Sequence, residues 1–516
     1  MPIPQIQPFN DIALSLSGGG YRAAAFHLGT LSLLNEVGML EKVQSLSTVS
    51  GGTILGAKYA LELAIGGNYG TFEPQMCKFL RTVNVVTEAM SRLRTTANPN
   101  DERLMPSVIR AAANVYSGPD HVGEATFGKL TEMPSHLKEI SFNATDFLTG
   151  TRFRFQHSSR NAVLSGSKIS IPTIVSFQAR IADIVAASSC FPGGFEPFYF
   201  PGEFVWKDPI EKIRGRLPDD YPENVPLMDG GVFDNQGLDV TALLLKRAGN
   251  ATDLILISDT SKRANNIHPR KLKRRWRLLP LAVTLLAMIA IYVFSIVSVY
   301  QLADEYIELV KAGSPFARQS VTRTLFPLIV STAVALVGTI VAALLIWFSP
   351  TIVTEAGIKG LLKAPLLGTM GMVELLVSRI SSVLKMTTDV FMNRIRSLGY
   401  TGFFSQEKLQ PKLVSNLIYD LDDESRWRNV VPADLHPVQR LRDLAIEAEK
   451  YPTTLNFTGK EDSMQKLIEC GRATMCFNMI RHLNRFRAAQ ITVTGSPEYE
   501  LYELLKQIWT KNINIK

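Results

Sequence analysis

Two long apolar runs without a charged residue constrain this chain more than any other feature. The first covers residues 278–300 and the second covers residues 325–348. As α-helices, each is about 35 Å long, enough to cross a hydrocarbon core of about 30 Å. Uncharged runs of this length favour membrane spans over two buried core helices. Because only residues 301–324 separate them, we predict a two-helix transmembrane hairpin.

The charges beside these runs predict the orientation of the hairpin. Residues 262–277 hold eight Lys and Arg and no acid, whereas the connection 301–324 balances three acidic with three basic residues. By the positive-inside rule, the outer flanks are cytoplasmic. We therefore expect an integral membrane protein whose catalytic domain and both termini are cytoplasmic. The N-terminus does not show the basic and then apolar pattern of a cleavable signal peptide.

The net charge of +8 comes from the same block of sequence. The chain has 55 Lys and Arg against 47 Asp and Glu, and without residues 262–277 the two counts are equal. A basic block beside a membrane span is typical of a topology signal and of contact with anionic lipid headgroups, and not of nucleic-acid binding. Four scattered cysteines form no CxxC pair, and no His or carboxylate cluster has metal-ligand spacing. We expect neither a metal nor a cofactor.

Strands and helices alternate in the N-terminal half, which predicts an α/β fold with a parallel-rich central sheet. The predicted strands are 12–16, 43–49, 140–143, 152–155 and 254–258, and the predicted helices are 22–36, 51–65 and 238–247. Amphipathic patterns predict further helices at 370–398 and over much of 437–487. The predicted organisation is a catalytic core at 1–261, a basic segment at 262–277, the hairpin at 278–348 and a cytoplasmic C-terminal helical region at 349–516.

Three short motifs carry the chemistry of the soluble part. Residues 17–22, Ser-Gly-Gly-Gly-Tyr-Arg, lie between a strand and a helix, where backbone N–H groups and the helix N-terminus suit an anion. Residues 47–52, Ser-Thr-Val-Ser-Gly-Gly, have the strand-turn-helix context of a nucleophile elbow. Residues 228–237 begin Met-Asp-Gly-Gly, with Asp229 at a strand end. Taken singly, each also fits a structural role: a tight turn, a serine N-cap and an Asp-Gly turn.

In combination, the order S-G-G-G-x-R, S-x-S-G-G and D-G-G resembles the patatin-like phospholipase family. The resemblance extends to the Asn-Ala-Thr-Asp segment at 143–146 and to the Ala-Ala-Ser-Ser-Cys-Phe-Pro segment at 186–192. It covers residues 10–260 and implies a patatin-like three-layer fold. The hairpin lies outside the family's common pattern.

The resemblance also implies a Ser–Asp dyad without histidine. Ser50 is expected to be the nucleophile and Asp229 the general base. The backbone N–H groups of Gly18, Gly19 and Gly20 are the expected oxyanion donors. Arg22 is a candidate for contact with the substrate phosphate, and a core-tethered arginine is an equal alternative. His27 lies in the middle of a predicted helix and is expected to be a core residue.

The leading functional hypothesis is a membrane-bound serine acylhydrolase acting on phospholipid or a related lipid ester. A lipid acyltransferase or a neutral-lipid lipase on the same dyad is the first alternative. A non-catalytic membrane scaffold that retains the fold is the second alternative. Membrane phospholipid as substrate and anionic headgroups at 262–277 are the expected partners.

Overall fold

The computed structural model describes most of the chain outside the predicted hairpin. It describes residues 7–95, 107–132, 134–249, 251–263 and 400–514, with isolated positions between 289 and 397. Most of the predicted spans, of the basic segment and of the predicted helix at 370–398 lies outside these described residues. Within the described part, no helix combines the length and apolar character that crossing a membrane requires.

The chain divides into two compact units. One unit joins Met1–Asn265 to Met392–Lys516, and the other is Asn266–Phe391. Residues 392–516 therefore fold with the N-terminal half. The finer boundaries at 261, 277 and 348 remain predictions. The first unit contains every strand of the described part of the chain.

A mixed sheet of ten described strands forms the centre of this unit, in the order β10-β9-β1-β2-β3-β4-β5-β6. The strands from β10 to β3 are parallel to one another, while β4, β5 and β6 are antiparallel to their neighbours, and β8 pairs antiparallel with both β3 and β7. The strands are β1 Ile12–Leu16, β2 Val43–Val49, β3 Glu139–Asp146, β4 Thr151–Ser158, β5 Ser165–Gly166, β6 Ser170–Ile171, β7 Phe198–Phe200, β8 Val225–Asp229, β9 Leu254–Asp259 and β10 Leu413–Leu417.

Helices of very different length connect and cover these strands. They are α1 Gly20–Glu36, α2 Gly51–Ala64, α3 Tyr69–Thr82, α4 Val85–Thr95, α5 Val108–Tyr116, α6 Thr173–Ser176, α7 Ile181–Ser188, α8 Ile210–Arg214, α9 Gly230–Asp234, α10 Leu238–Ala248, α11 Gln439–Lys450, α12 Glu461–Phe486 and α13 Pro497–Asn514.

The sheet is buried on both faces, as β9 shows. Leu254 and Leu256 belong to the large core that contains α1 and α12, whereas Ile255 and Ile257 pack with Leu238 of α10 on the opposite face. Continuous apolar strands are typical of parallel sheets that helices cover on both sides. The predicted α/β fold with a central sheet is confirmed.

The C-terminal region also contains a strand that the sequence analysis did not predict, because β10 is an edge strand of the main sheet. Its Asn416 is fully buried, donates from Nδ2 to Thr30 Oγ1 at 3.1 Å and accepts from Asn478 Nδ2 of α12 at 3.0 Å. These side-chain hydrogen bonds offset the burial of a polar strand residue. They also attach β10 to α1 and α12.

Helix α12 packs directly along α1 at a crossing that glycine permits. A Cβ at Gly471 would overlap the carbonyl oxygen of Phe26, and a Cβ at Gly29 would overlap the carbonyl oxygen of Ile468. With no side chain on either glycine, the two backbones approach closely. The C-terminal segment is therefore part of the same core as the glycine-rich loop.

Candidate active site

Ser50 occupies a sharp turn between β2 and α2. It has φ = 51°, and among the described residues it is the only non-glycine with a positive φ. A serine held in this region carries backbone strain, as expected for a nucleophile elbow. Its two following residues must be small, because a Cβ at Gly51 would overlap the carbonyl oxygen of Gly20 and a Cβ at Gly52 that of Leu16. The elbow therefore packs against the glycine-rich loop.

Asp229 reaches the same place from the opposite direction, along the same edge of β3. Val49, the last residue of β2, lies opposite Asn143, while Asp229, the last residue of β8, lies opposite Ala144. The other edge of β3 is paired with β4 along its whole length. The carboxyl ends of β2 and β8 therefore meet at consecutive residues of one strand. This register brings the predicted nucleophile Ser50 and the predicted base together.

The end of α7 supports the elbow. Ser188 Oγ accepts from the backbone N–H of Ser50 at 2.9 Å and donates to the carbonyl of Asn143 at 2.6 Å. The hydroxyl thus connects the turn to the strand between the two predicted catalytic residues. In the sequence, only the family resemblance indicated that residues 186–192 belong to the site. The structure adds a physical role for Ser188, which holds the turn at Ser50.

Asp229 is itself held by its backbone and its carboxylate. Its N–H donates to the carbonyl of Cys190 at 2.9 Å, and its carbonyl accepts from Thr145 Oγ1 at 2.8 Å. Its Oδ1 accepts from the Gly231 N–H at 2.7 Å, so the carboxylate caps the short helix α9. The side chain is therefore oriented before any substrate is present. Asp229 is 6% exposed, as is Ser50.

The glycine-rich loop lies against Ser50, and its three backbone N–H groups differ in their hydrogen bonding. A Cβ at Gly18 would lie 3.1 Å from Ser50 Cβ. The Gly18 N–H donates to the carbonyl of Asn235 at 2.9 Å and is thereby engaged within the protein. Gly19 is the N-cap of α1 and Gly20 its first residue, with φ of 143° and 59°. The N–H groups at these two positions have no acceptor within the helix, as at any helix start.

Asn235 is a site residue to which the sequence analysis assigned no part in the active site. Its Oδ1 lies 2.5 Å from where a Cβ would stand on either Gly18 or Gly231. The amide therefore fills the space between the glycine-rich loop and the turn after Asp229. No local pattern could have indicated this role, because it depends on two segments more than 200 residues apart.

The Arg22 side chain is bonded to the backbone of two other segments of the chain. The side chain is 5% exposed and donates to the carbonyls of Tyr451 and Thr260, at 3.0 and 2.9 Å. Next to it, the Tyr21 N–H donates to the carbonyl of Thr454 at 2.7 Å. The segment before α12 thus closes over the start of α1. These contacts favour the tether over contact with a substrate phosphate, which stays a prediction.

None of the histidines in the described part of the chain is bonded to Ser50. His27 is fully buried, with Nε2 3.0 Å from the carbonyl of Ser17 and Nδ1 2.9 Å from Ser258 Oγ. Burial lowers the pKa of His27 to about 4, so the ring is neutral. The expectation of a core histidine is confirmed, while His268 lies outside the described residues.

Comparison with known proteins places a family match on this region. Residues 14–242 match the family model Patatin-like phospholipase. A search of curated protein sequences gave no significant match. The match supports the assignment of this region to the lipid ester hydrolases as an enzyme class. The predicted resemblance to patatin-like phospholipases is confirmed for these residues.

Solved structures of human GIVD cytosolic phospholipase A2 are among those similar to the chain. The free enzyme gives a TM-score of 0.34 at 15% identity, over 50% of this chain and 43% of that chain. Its complex with methyl gamma-linolenyl fluorophosphonate gives 0.32 at 16% identity, over 49% and 41%. The chain thus matches less than half the length of these proteins. Overlaps this small carry no structural or functional detail over to the present chain.

Proposed function

We propose that this chain is a membrane-bound serine acylhydrolase that cleaves phospholipid or related lipid esters through an acyl-enzyme on Ser50. One observation supports the dyad above all. Strands β2 and β8 end opposite consecutive residues of β3, and this pairing register brings Ser50 and Asp229 to neighbouring positions. The family match over residues 14–242 supports the substrate class.

In the proposed mechanism, Ser50 Oγ attacks the ester carbonyl carbon while Asp229 takes up its proton. The tetrahedral oxyanion is stabilised by the N–H groups of Gly19 and Gly20, and such donors contribute about 3 kcal/mol each. Asp229 then returns the proton to the leaving alkoxide. In the second half, Asp229 removes a proton from water, which attacks the acyl-enzyme. Asp229 then returns this proton to Ser50 Oγ as the bond to the acyl group breaks and the fatty acid leaves. Because the Gly18 N–H donates to Asn235, we assign it no part in the oxyanion hole.

We further propose that the hairpin holds this domain at the cytoplasmic face of a membrane, with the spans at 278–300 and 325–348 and anionic headgroups around 262–277. Support comes from the helical residues described in the first run, whose large apolar side chains are exposed. Their exposed fractions are 59% for Ile289, 46% for Tyr292, 53% for Val293, 69% for Phe294, 47% for Val297 and 76% for Tyr300. Exposed apolar surface on a helix is typical of a lipid-facing segment.

Covalent labelling by a fluorophosphonate in native membranes tests the nucleophile and the base. We expect the wild type to be labelled, and Ser50→Ala and Asp229→Asn to lose labelling. Asp234→Asn is the matched control, because this acid lies five residues further and caps α10 by accepting from the Asp239 N–H at 2.8 Å. It should be labelled like the wild type. Equal labelling of Ser50→Ala and the wild type would show that another residue reacts.

Cysteine accessibility tests the membrane topology separately. In a variant whose four native cysteines are serine, a cysteine at residue 313 should react with a membrane-impermeant maleimide from the outer side. Cysteines at residues 8 and 513 should react only after permeabilisation. Reaction of all three sites in intact cells would exclude the proposed orientation, without bearing on the dyad.

A further inference from the structure

A cavity separate from the dyad lies beside the carboxyl ends of β9 and β10. Its volume is about 800 Å³. Its walls come from the last residue of β9 and the segment up to residue 262, from residues 400–410, from β10 and the segment after it, and from the last turns of α12. Ligands of parallel α/β sheets bind at this end of the strands. The proposed acylhydrolase reaction makes no use of this cavity.

The cavity lining carries a strong excess of positive charge. Its basic residues are Lys262, Arg426, Arg481 and Arg485, against the single acid Asp259. That carboxylate is already occupied by its own neighbours, because Oδ1 accepts from the N–H of Ser261 at 3.0 Å and Oδ2 accepts from Tyr400 Oη at 3.1 Å and from Gln236 Nε2. Asp259 therefore does not neutralise the arginines. Arg426 is paired with the buried carboxylate of Asp420 at 2.6 Å, so the excess charge lies on the other basic residues of the lining.

Arg481 is the least satisfied of these cations. Its Nη2 donates only a long hydrogen bond of 3.4 Å to the carbonyl of Ser415, and its Nη1 is shielded from solvent without a partner in the described part of the chain. Burial lowers the pKa of the Arg481 guanidinium to about 10, against the opposing charge of Asp420 and with smaller contributions from Arg426 and Arg485. A desolvated guanidinium with unused donors is costly unless an anion pairs with it.

Two amide oxygens of the same wall are also unpaired. Gln236 Oε1 and Asn478 Oδ1 are buried and accept no hydrogen bond from the described residues. Such acceptors suit the hydroxyl groups of a protonated or organic ligand. Phe404, Tyr419 and Phe486 add apolar surface to the lining. The site therefore combines anion donors with room for an organic part.

We propose that this cavity binds the phosphate group of a phosphorylated ligand, with Arg481 as its central contact. A guanidinium presents paired N–H donors that match two phosphate oxygens, and Arg485 and Lys262 add charge at the same site. The group belongs either to an anionic lipid headgroup or to a soluble phosphate.

The test uses the full-length chain in a neutral detergent, as the Ser50→Ala variant so that no lipid is hydrolysed. Inorganic phosphate is one probe, and micelles doped with phosphatidic acid, with phosphatidylcholine as reference, are the other. The readouts are the Tm and the dissociation constant from calorimetry. We expect at least one probe to raise the Tm, and Arg481→Gln to raise its dissociation constant at least tenfold. The probe that acts identifies the source of the phosphate group.

Arg472→Gln is the matched control, because Arg472 lies on α12 but pairs with Glu36 and does not line the cavity. Arg472→Gln should bind both probes like the parent protein. Comparison with this control also corrects for the general effect of phosphate salts on stability. If Arg481→Gln does not fold, the exposed Arg485→Gln takes its place, with the same expected direction. The proposal is overturned if neither probe raises the Tm, or if control and cavity variants weaken binding equally.

Discussion

Arg22 offers a quantitative test of how the glycine-rich loop is held in place. Arg22→Met keeps the length of the side chain but leaves the carbonyls of Tyr451 and Thr260 without the donors at 3.0 and 2.9 Å. Leaving a buried acceptor unpaired costs about 1–3 kcal/mol. We therefore expect the free energy of unfolding to fall by about 3 kcal/mol. With an unfolding entropy of about 2.1 cal/mol/K per residue over a unit of roughly 390 residues, the Tm should fall by about 4 °C.

The assay combines thermal unfolding with hydrolysis of two substrates, a phospholipid and a fatty-acyl ester without phosphate. Because a tether acts through the position of α1, both rates should fall by the same factor. Arg472→Met is the control, since its ion pair with Glu36 is partly exposed and should contribute less than about 1 kcal/mol. The tether is refuted if Arg22→Met keeps the Tm of the wild type and raises KM for the phospholipid alone.

Three further predictions concern the surroundings of the proposed dyad. Gly51→Ala should abolish fluorophosphonate labelling, because its Cβ would overlap the carbonyl of Gly20, and full labelling would show that the two turns separate freely. Asn235→Leu should lower kcat at least tenfold with the fold retained by circular dichroism, because a branched side chain overfills the space beside Gly18, and an unchanged kcat would contradict this. The pKa of His27 is lowered from 6.5 to about 4, so between these pH values the unfolded chain binds a proton at His27 and the folded chain does not. The contribution of His27 to the free energy of unfolding should be complete above pH 6.5 and should fall as the pH drops towards 4, by about 2 kcal/mol at pH 5. Urea unfolding at pH 7 and at pH 5 measures this loss, which should be smaller in His27→Gln than in the wild type. Equal losses in the two proteins would refute the lowered pKa of His27.

Local sequence pattern was sufficient for the elements around the proposed nucleophile. The strands Ile12–Leu16 and Val43–Val49 have the predicted bounds, and α2 ends one residue before the predicted end. Apolar runs next to glycine predict buried strands well, because the residues that are buried on both faces and the glycines that permit a tight turn are neighbours in the sequence.

Elements that depend on distant partners were missed. Strand β10 reads Leu-Val-Ser-Asn-Leu, and its buried Asn416 is acceptable only because Thr30 and Asn478 hydrogen-bond to it. The role of Asn235 has the same origin, since it fills a gap between two segments that meet only in the fold. No periodicity in one stretch of sequence reports such pairings.

The meeting of β2 and β8 on β3 makes the spacing of Ser50 and Asp229 discrete. Main-chain ladders on one strand set that spacing, and a strand that keeps its faces can slip only by two residues, about 6.6 Å. No continuous series of intermediate separations is available to the proposed dyad. Damage to the core away from the glycine-rich loop and Asn235 is therefore expected to reduce the number of active molecules, while each remaining molecule turns over at its full rate.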